Sequence, residues 1–477
     1  MRVFPWPEEE ERSRDFGLTV EGRDCVVLVT RVAPRDRARR FRAMDDKRNS
    51  GAHFETASFA AFDMRGPVLV AATCREEVRM ARVLPTSAGI TPVVRGRSVT
   101  LAVAEPRPLT VEVNGEDGPV LHLFANPFEE DVPDPRDPSV WWFGPGIHDV
   151  ERLVAGDGRT IYVAGGAVLR CGVGPAEEST VSVYSGLRNY APSIELRGRG
   201  VTLRGRGIVD GSRCPTHARC LLAAEGRDLA IDGVILRDAS HWTLPIRRSD
   251  HVTVRNVKFL GHRANSDGID VVNSRDVTVE GCFLRTLDDL VVVKTDRGGG
   301  PAERIAVRRC VLWNEVAHAL SIGAETSEDV SGVLFADCDV IRDRGREWTL
   351  RIYHGDSAEV RDVRFEDIRI EESRRAISLF IGKTRWSRDA GRGRIRGVVF
   401  RNVRLPAGPL RIELTGHDEA HMVEDVTFDD VTVGGAPLRP DAVTANAHVC
   451  GVILYTGPPG PRCDPGGRHD GSAPAPE

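Results

Sequence analysis

Apolar residues recur through the second half of the chain in one spaced pattern, apolar-x-apolar-x-x-apolar-x-apolar. The first regular copy is Leu229, Ile231, Val234 and Leu236, and the last is Val426, Phe428, Val431 and Val433. Its third position falls at Val234, Val257, Cys282, Cys310, Cys338, Ile368, Val403 and Val431, at intervals of 23, 25, 28, 28, 30, 35 and 28 residues. Period-2 alternation with many β-branched residues predicts strands, not helices. A propeller blade needs roughly 40 residues or more per repeat, so these intervals are too short for one. A coil of short strands cannot bury its own apolar side and must stack on its neighbours at ~4.8 Å per rung. The pattern therefore predicts a right-handed parallel β-helix. Cys282, Cys310 and Cys338 would form one buried ladder of reduced thiols.

Less regular copies upstream, at Val201, Leu203 and Ile208 and in Thr160 to Val168, place the helix over residues 140–435. Residues 1–126 differ: apolar runs such as DCVVLVTRV, SFAAFDM and PVLVAATC alternate with Pro and Gly turns and lack the coil pattern. Several strands at that spacing predict a smaller β-sandwich, so the chain as a whole reads as all-β. Residues 127–139 (PFEEDVPDPRDPS) are proline-rich and read as a stiff linker. The Gly/Pro-rich stretch 436–477 is expected to be loop and disordered tail.

Composition narrows the function. The chain has 65 Lys and Arg against 70 Asp and Glu, and no long basic run. That balance argues against nucleic acid or a membrane surface as partner and favours a neutral or small substrate. Met1 to Phe16 contains no apolar stretch of the kind a secretory signal or anchor needs, so a cytoplasmic location is expected. The ten cysteines include no CxxC pair or Cys/His cluster with ligand spacing, so no metal or other cofactor is expected. The sequence carries no signal for oligomeric state.

Polar clusters follow the repeat marker on successive coils: Asn265 to Asp270 (NSDGID), then LDDL with Asp288 and Asp289, then AHALSIG with His318, then LRIY with Arg351. Stacking would bring these distant residues to one patch. Crowded carboxylates push at least one pKa up, while His318 and Arg351 favour ionisation of others, and that separation provides an acid and a base at neutral pH. Glycoside hydrolysis needs this division of labour.

In order and content the four segments resemble the NTD, G-DD, GHG and RIK signatures of polygalacturonases and related glycoside hydrolases of family 28. FGPGIH (Phe143 to His148), YVAGGA (Tyr162 to Ala167) and RGRGIVDG (Arg204 to Gly211) resemble bacterial members, so the likeness runs from about residue 124 to 435. The architecture is similar to that of the dextranase family 49, with its preceding sandwich and three-aspartate site, and implies a pectin-lyase-like helix. Carried over residue by residue, the resemblance implies that Asp288 is the general acid, that Asp267 and Asp289 activate water, and that the anomeric centre is inverted. It also implies that His318 tunes or orients the acid and that Arg351 holds the sugar. Lys294 matches a lysine frequent in bacterial members, and could set a carboxylate's charge or cap the turn. Asn265 opens the first signature, and Trp242 and Trp348 are candidate platforms for a pyranose face.

Departures from the family pattern are Leu287, Leu290, Ala317 and Ala319, and above all Tyr353, which stands where the family has the lysine that binds a uronate carboxylate. Tyrosine has no charge to pair with that group. Arg342, Arg344 or Arg346 could replace the charge, but the simpler expectation is a neutral α-linked sugar. The competing readings are a lyase or epimerase on the same scaffold and a non-catalytic carbohydrate-binding helix.

Overall fold

A computed structural model describes residues 1–183 and 185–455. Each regular coil holds three short strands, for example Arg275–Glu280, Phe283–Thr286 and Val291–Thr295, each paired in parallel with its counterparts in the coils before and after. The result is the right-handed parallel β-helix. Its register follows the sequence repeat: the first apolar position aligns Leu229, Val252, Val277, Ile305, Val333, Val363, Val398 and Val426 as direct partners.

The next position stacks Phe335, Phe365, Phe400 and Phe428 with ring centroids 4.9, 4.9 and 5.1 Å apart. Those distances match the rung spacing, so identical side chains pack as a continuous ladder. Cys282, Cys310 and Cys338 are free and buried at the turn that precedes the second strand. The residue just before each third-position apolar side chain is left-handed. Asn256, Asp337, Asp367, Asn402 and Asp430 all have φ between 50 and 55°. Short polar side chains that bond locally tolerate that region, which explains why Asn and Asp recur there.

Residues 1–127 form a six-stranded and a five-stranded sheet, largely antiparallel, packed over a core that includes Phe62, Val70, Leu101 and Leu123. The six-stranded sheet turns its other face to the helix, where Phe59 and Phe124 meet Phe283 and Trp313 in one apolar seam. Buried polar groups cross the same seam. Arg285 bonds Glu315 at 2.9 Å and His122 at 3.1 Å, and Arg342 bonds Glu112 at 2.9 Å.

Two elements depart from expectation. The helix runs on past 435, because Thr444–Ala445 and Val449–Tyr455 pair in parallel with Arg411–Thr415 and Val423–Asp429. Gly434, Gly435, Pro437 and Pro440 interrupt the apolar pattern there and hid the last coil; the rest of the expected tail, 456–477, lies outside the described residues. A helix, α1 (Arg37–Asp45), interrupts the sandwich, with Asp36 capping it by accepting from the Arg39 N–H. Its arginine-rich sequence has too few apolar residues to show a helical stripe. Among the described residues, no helix is long and apolar enough to cross a membrane.

Candidate active site

The clusters of the four signature segments lie between the second and third strands of successive coils, or at the start of the third. Backbone bonds lock these turns rung to rung: Gly268 N–H to Asp289 O at 2.8 Å, Leu290 N–H to His318 O at 2.9 Å, and Ala319 N–H to Thr349 O at 3.1 Å. Asp267, Asp288 and Asp289 each place a carboxylate oxygen within 4.8 Å of the others'. They open on a cavity of about 780 Å³.

His318 is tied to Asp289. Arg351 can only donate, and its guanidinium reaches His318 Nε2 at 3.0 Å. Nε2 is therefore the acceptor, and Nδ1 carries the proton it donates to Asp289 Oδ1 at 2.6 Å. The His318 N–H adds a second bond to the same oxygen at 3.2 Å. The family likeness put His318 on the acid Asp288, whereas the structure puts it on Asp289. Arg351 stands behind the cavity wall instead of lining it, stacked 3.7 Å from the Tyr353 ring centre and paired with Glu347 at 2.9 Å.

This wiring separates the carboxyls electrically. Burial and the neighbouring Asp289 charge push Asp288 up to about 7. Burial acts on Asp289 too, but the electrostatic pull and hydrogen bonds of His318, with Lys294 behind them, outweigh it and hold this carboxyl below the usual range. Asp267, buried beside Asp270 and Asp288, is raised well above that range. Of the two aspartates expected to activate water, Asp289 is thus the one whose surroundings favour the charged form.

Lys294 sets charge and does not cap a turn. Its ammonium lies 2.8 Å from Asp270 Oδ1, 3.5 Å from Asp267 Oδ2 and 4.3 Å from the Trp242 ring centre. The three aspartate oxygens are close enough to converge on a metal ion, yet this buried ammonium already supplies positive charge to the cluster. Asn265 Nδ2 donates to Asp288 Oδ2 at 3.3 Å, and its own oxygen meets His217 Nε2 at 3.2 Å.

Trp242 and Tyr353 line the cavity; Trp348 does not, being buried under Arg411. Of the three arginines considered as replacement cations, Arg342 is buried on Glu112 and Arg344 lies over Trp313, while Arg346 lines the cavity paired with Asp45 at 2.6 Å. Among the contributors that escaped the sequence reading, four stand out. Met44, Asp45 and Lys47 come from the sandwich domain, and Trp386 from a loop two coils beyond His318. Only the contact between domains reveals the first three; Trp386 had a signal, a lone tryptophan in a long interval between repeats.

Residues 198–450 match the profile of glycosyl hydrolases family 28. The chain belongs to this family. It is a polygalacturonase-like glycoside hydrolase, and family 28 enzymes act on carbohydrate. No curated protein matches the chain. Among solved structures, Dex49A from Penicillium minioluteum is similar over 95% of this chain and 96% of its own, with 13% identity and a TM-score of 0.62. That likeness of fold takes in the sandwich as well as the helix. A hyperthermoactive exopolygalacturonase from Thermotoga maritima is similar over 65% of this chain and 84% of its own, with 18% identity and a TM-score of 0.47. A polygalacturonase from Erwinia carotovora covers 65% and 87%, with 16% identity and a TM-score of 0.47. The family's departures here are packed in place: Leu290 and Ala319 sit in the helix core, and Leu287 packs with Ala33, Ala43 and Val316.

Proposed function

We propose that this family 28 enzyme hydrolyses an α-glycosidic bond of a neutral oligo- or polysaccharide, with Asp288 as acid and Asp289 as base. The carrying observation is that adjacent carboxyls, opening on one cavity, are pushed apart: Asp288 up to about 7, Asp289 below the usual range. Asp288 protonates the leaving oxygen. Asp289, ionised and oriented by His318, takes a proton from the attacking water, and Asp267 and Asn265 line the same pocket to position the sugar and water. The anomeric centre is inverted, as the family resemblance implies.

A second stereochemical reading has an observation behind it. The nearest carboxylate oxygens lie within 4.8 Å, closer to the ~5 Å of retaining pairs than to the ~6.5 to 9.5 Å of inverting ones. Retention would run through an ester on an aspartate. Proton NMR of the first-formed anomer decides between them: the inverted anomer is expected, and the retained one moves the mechanism to a double displacement.

A neutral sugar is favoured because three of the five lysines and arginines that line the cavity are tied to carboxylates. Lys294 is paired with Asp270 and Asp267, Arg346 with Asp45, and Arg388 with Asp296, while Tyr353 holds the position of the family's uronate-binding lysine. Turnover of maltotriose, isomaltotriose and trigalacturonic acid tests this, and a preference for the acid would overturn it. The pH dependence tests the acid. Asp288 works protonated, so kcat/KM should fall about tenfold per pH unit above about 7, while Asp289 stays ionised well into the acidic range. A profile flat to pH 9 would remove Asp288 from the acid's role.

A further inference from the structure

The active site is assembled from both domains. Helix α1 is seated on the catalytic turn itself: Phe41, Ala43 and Met44 pack against Val316 and against Leu287, the residue just before Asp288. Polar bonds fasten the same helix further along the axis, Arg40 to the Arg344 carbonyl at 3.0 Å and Arg346 to Asp45 at 2.6 and 2.9 Å. One coil before that turn, the Gly51 carbonyl meets His262 Nε2 at 3.4 Å, and a Cβ on Gly51 would come within 3.0 Å of Thr216. The chain between these fastenings crosses alongside the site with little slack.

Lys47 lies in that crossing and lines the cavity, its Nζ 5.9 Å from the Trp386 ring centre. The Trp386 loop is itself held from below. Buried Asp356 accepts from the N–H groups of Thr326, Arg388 and Asp389 at 3.1, 2.6 and 2.8 Å. An ammonium from one domain and an indole from the other thus face the same cavity, each on a fixed support.

We propose that Lys47 is a substrate-binding residue lent to the β-helix by the sandwich domain, holding with Trp386 a sugar of the bound substrate beside the carboxylate cluster. The inference rests on the hydrolase reading of this cavity. The ammonium can donate to sugar hydroxyls while the indole covers the apolar face of the ring.

A contact made equally in ground and transition states changes KM and leaves kcat alone. With the panel trisaccharide turned over fastest, Lys47→Met should raise KM by about tenfold or more and keep kcat within about threefold. Lys47→Arg should restore most of the loss, and Trp386→Ala should show the same split. An unchanged KM, or a loss confined to kcat, would overturn the assignment. Calorimetric titration of each panel trisaccharide into Asp288→Asn and Asp288→Asn/Lys47→Met separates this from the catalytic reading. Weaker binding to the double variant supports the contact even if no hydrolysis is ever seen. Equal binding overturns it even in an active hydrolase.

Discussion

Replacing Asp288 by Asn lowers turnover by about 10²- to 10⁴-fold, the contribution expected of general acid catalysis, and leaves the fold intact. The substitution is nearly isosteric, and its amide oxygen can still accept one of the two bonds that the Asp288 carboxyl takes, from Asn265 Nδ2 at 3.3 Å and from the Asp289 N–H at 3.0 Å. It removes only the proton that the leaving oxygen needs. It also relieves crowding of like charge beside Asp289 and Asp267, so thermal stability should hold or rise. Initial rates on the best panel substrate, with a melting curve of the same preparation, check both halves. Turnover within threefold of the wild type would take the acid role from Asp288.

Lys294→Met should cost about 3 to 5 kcal/mol of stability at pH 7, the usual consequence of leaving buried charges without their partner. Burial alone would lower the lysine's pKa, yet Asp270 and Asp267 reverse that and raise it well above its ordinary value, so the pair is stabilising across the neutral range. The sign of the pH effect follows from the aspartates. Burial raises Asp270 to about 6 even with the lysine present, and Asp267 is raised as well. A carboxyl raised on folding holds its proton longer than the unfolded chain does, so its stabilising effect is present below about pH 4 and is lost as pH rises through the folded value. Without Lys294 both are driven higher still. The deficit of Lys294→Met should therefore be small near pH 4.5 and grow towards pH 7. Urea unfolding at the two pH values reads it directly, and an equal loss at both would show that the lysine serves packing alone.

The family's uronate site has not simply been lost. Tyr353 is built into a stack in which Arg351 lies 3.7 Å from its ring centre and Phe380 5.6 Å on, and Arg351 in turn fixes the tautomer of His318. The arginine expected to hold the sugar instead fixes the histidine that bonds Asp289. Restoring lysine at 353 would put a second cation beside that guanidinium, so a uronate specificity is not one substitution away.

Periodicity alone specified the helix from about residue 140, because every coil solves the same burial problem and must repeat its apolar positions; the aligned ladder from Leu229 to Val426 is that repeat made physical. The three aspartates were legible for the same reason, since stacking coils of known period turns sequence offsets into neighbours. The family likeness then supplied roles. What the chain could not show by itself was which carboxyl His318 serves and which cations are already spent. These depend on a few ångströms of side-chain placement that no period encodes. Least visible was the contribution of α1: its residues carry no catalytic pattern, and they reach the candidate site only because an apolar seam docks the sandwich against the helix and Leu287 gives the turn before Asp288 a surface to dock on.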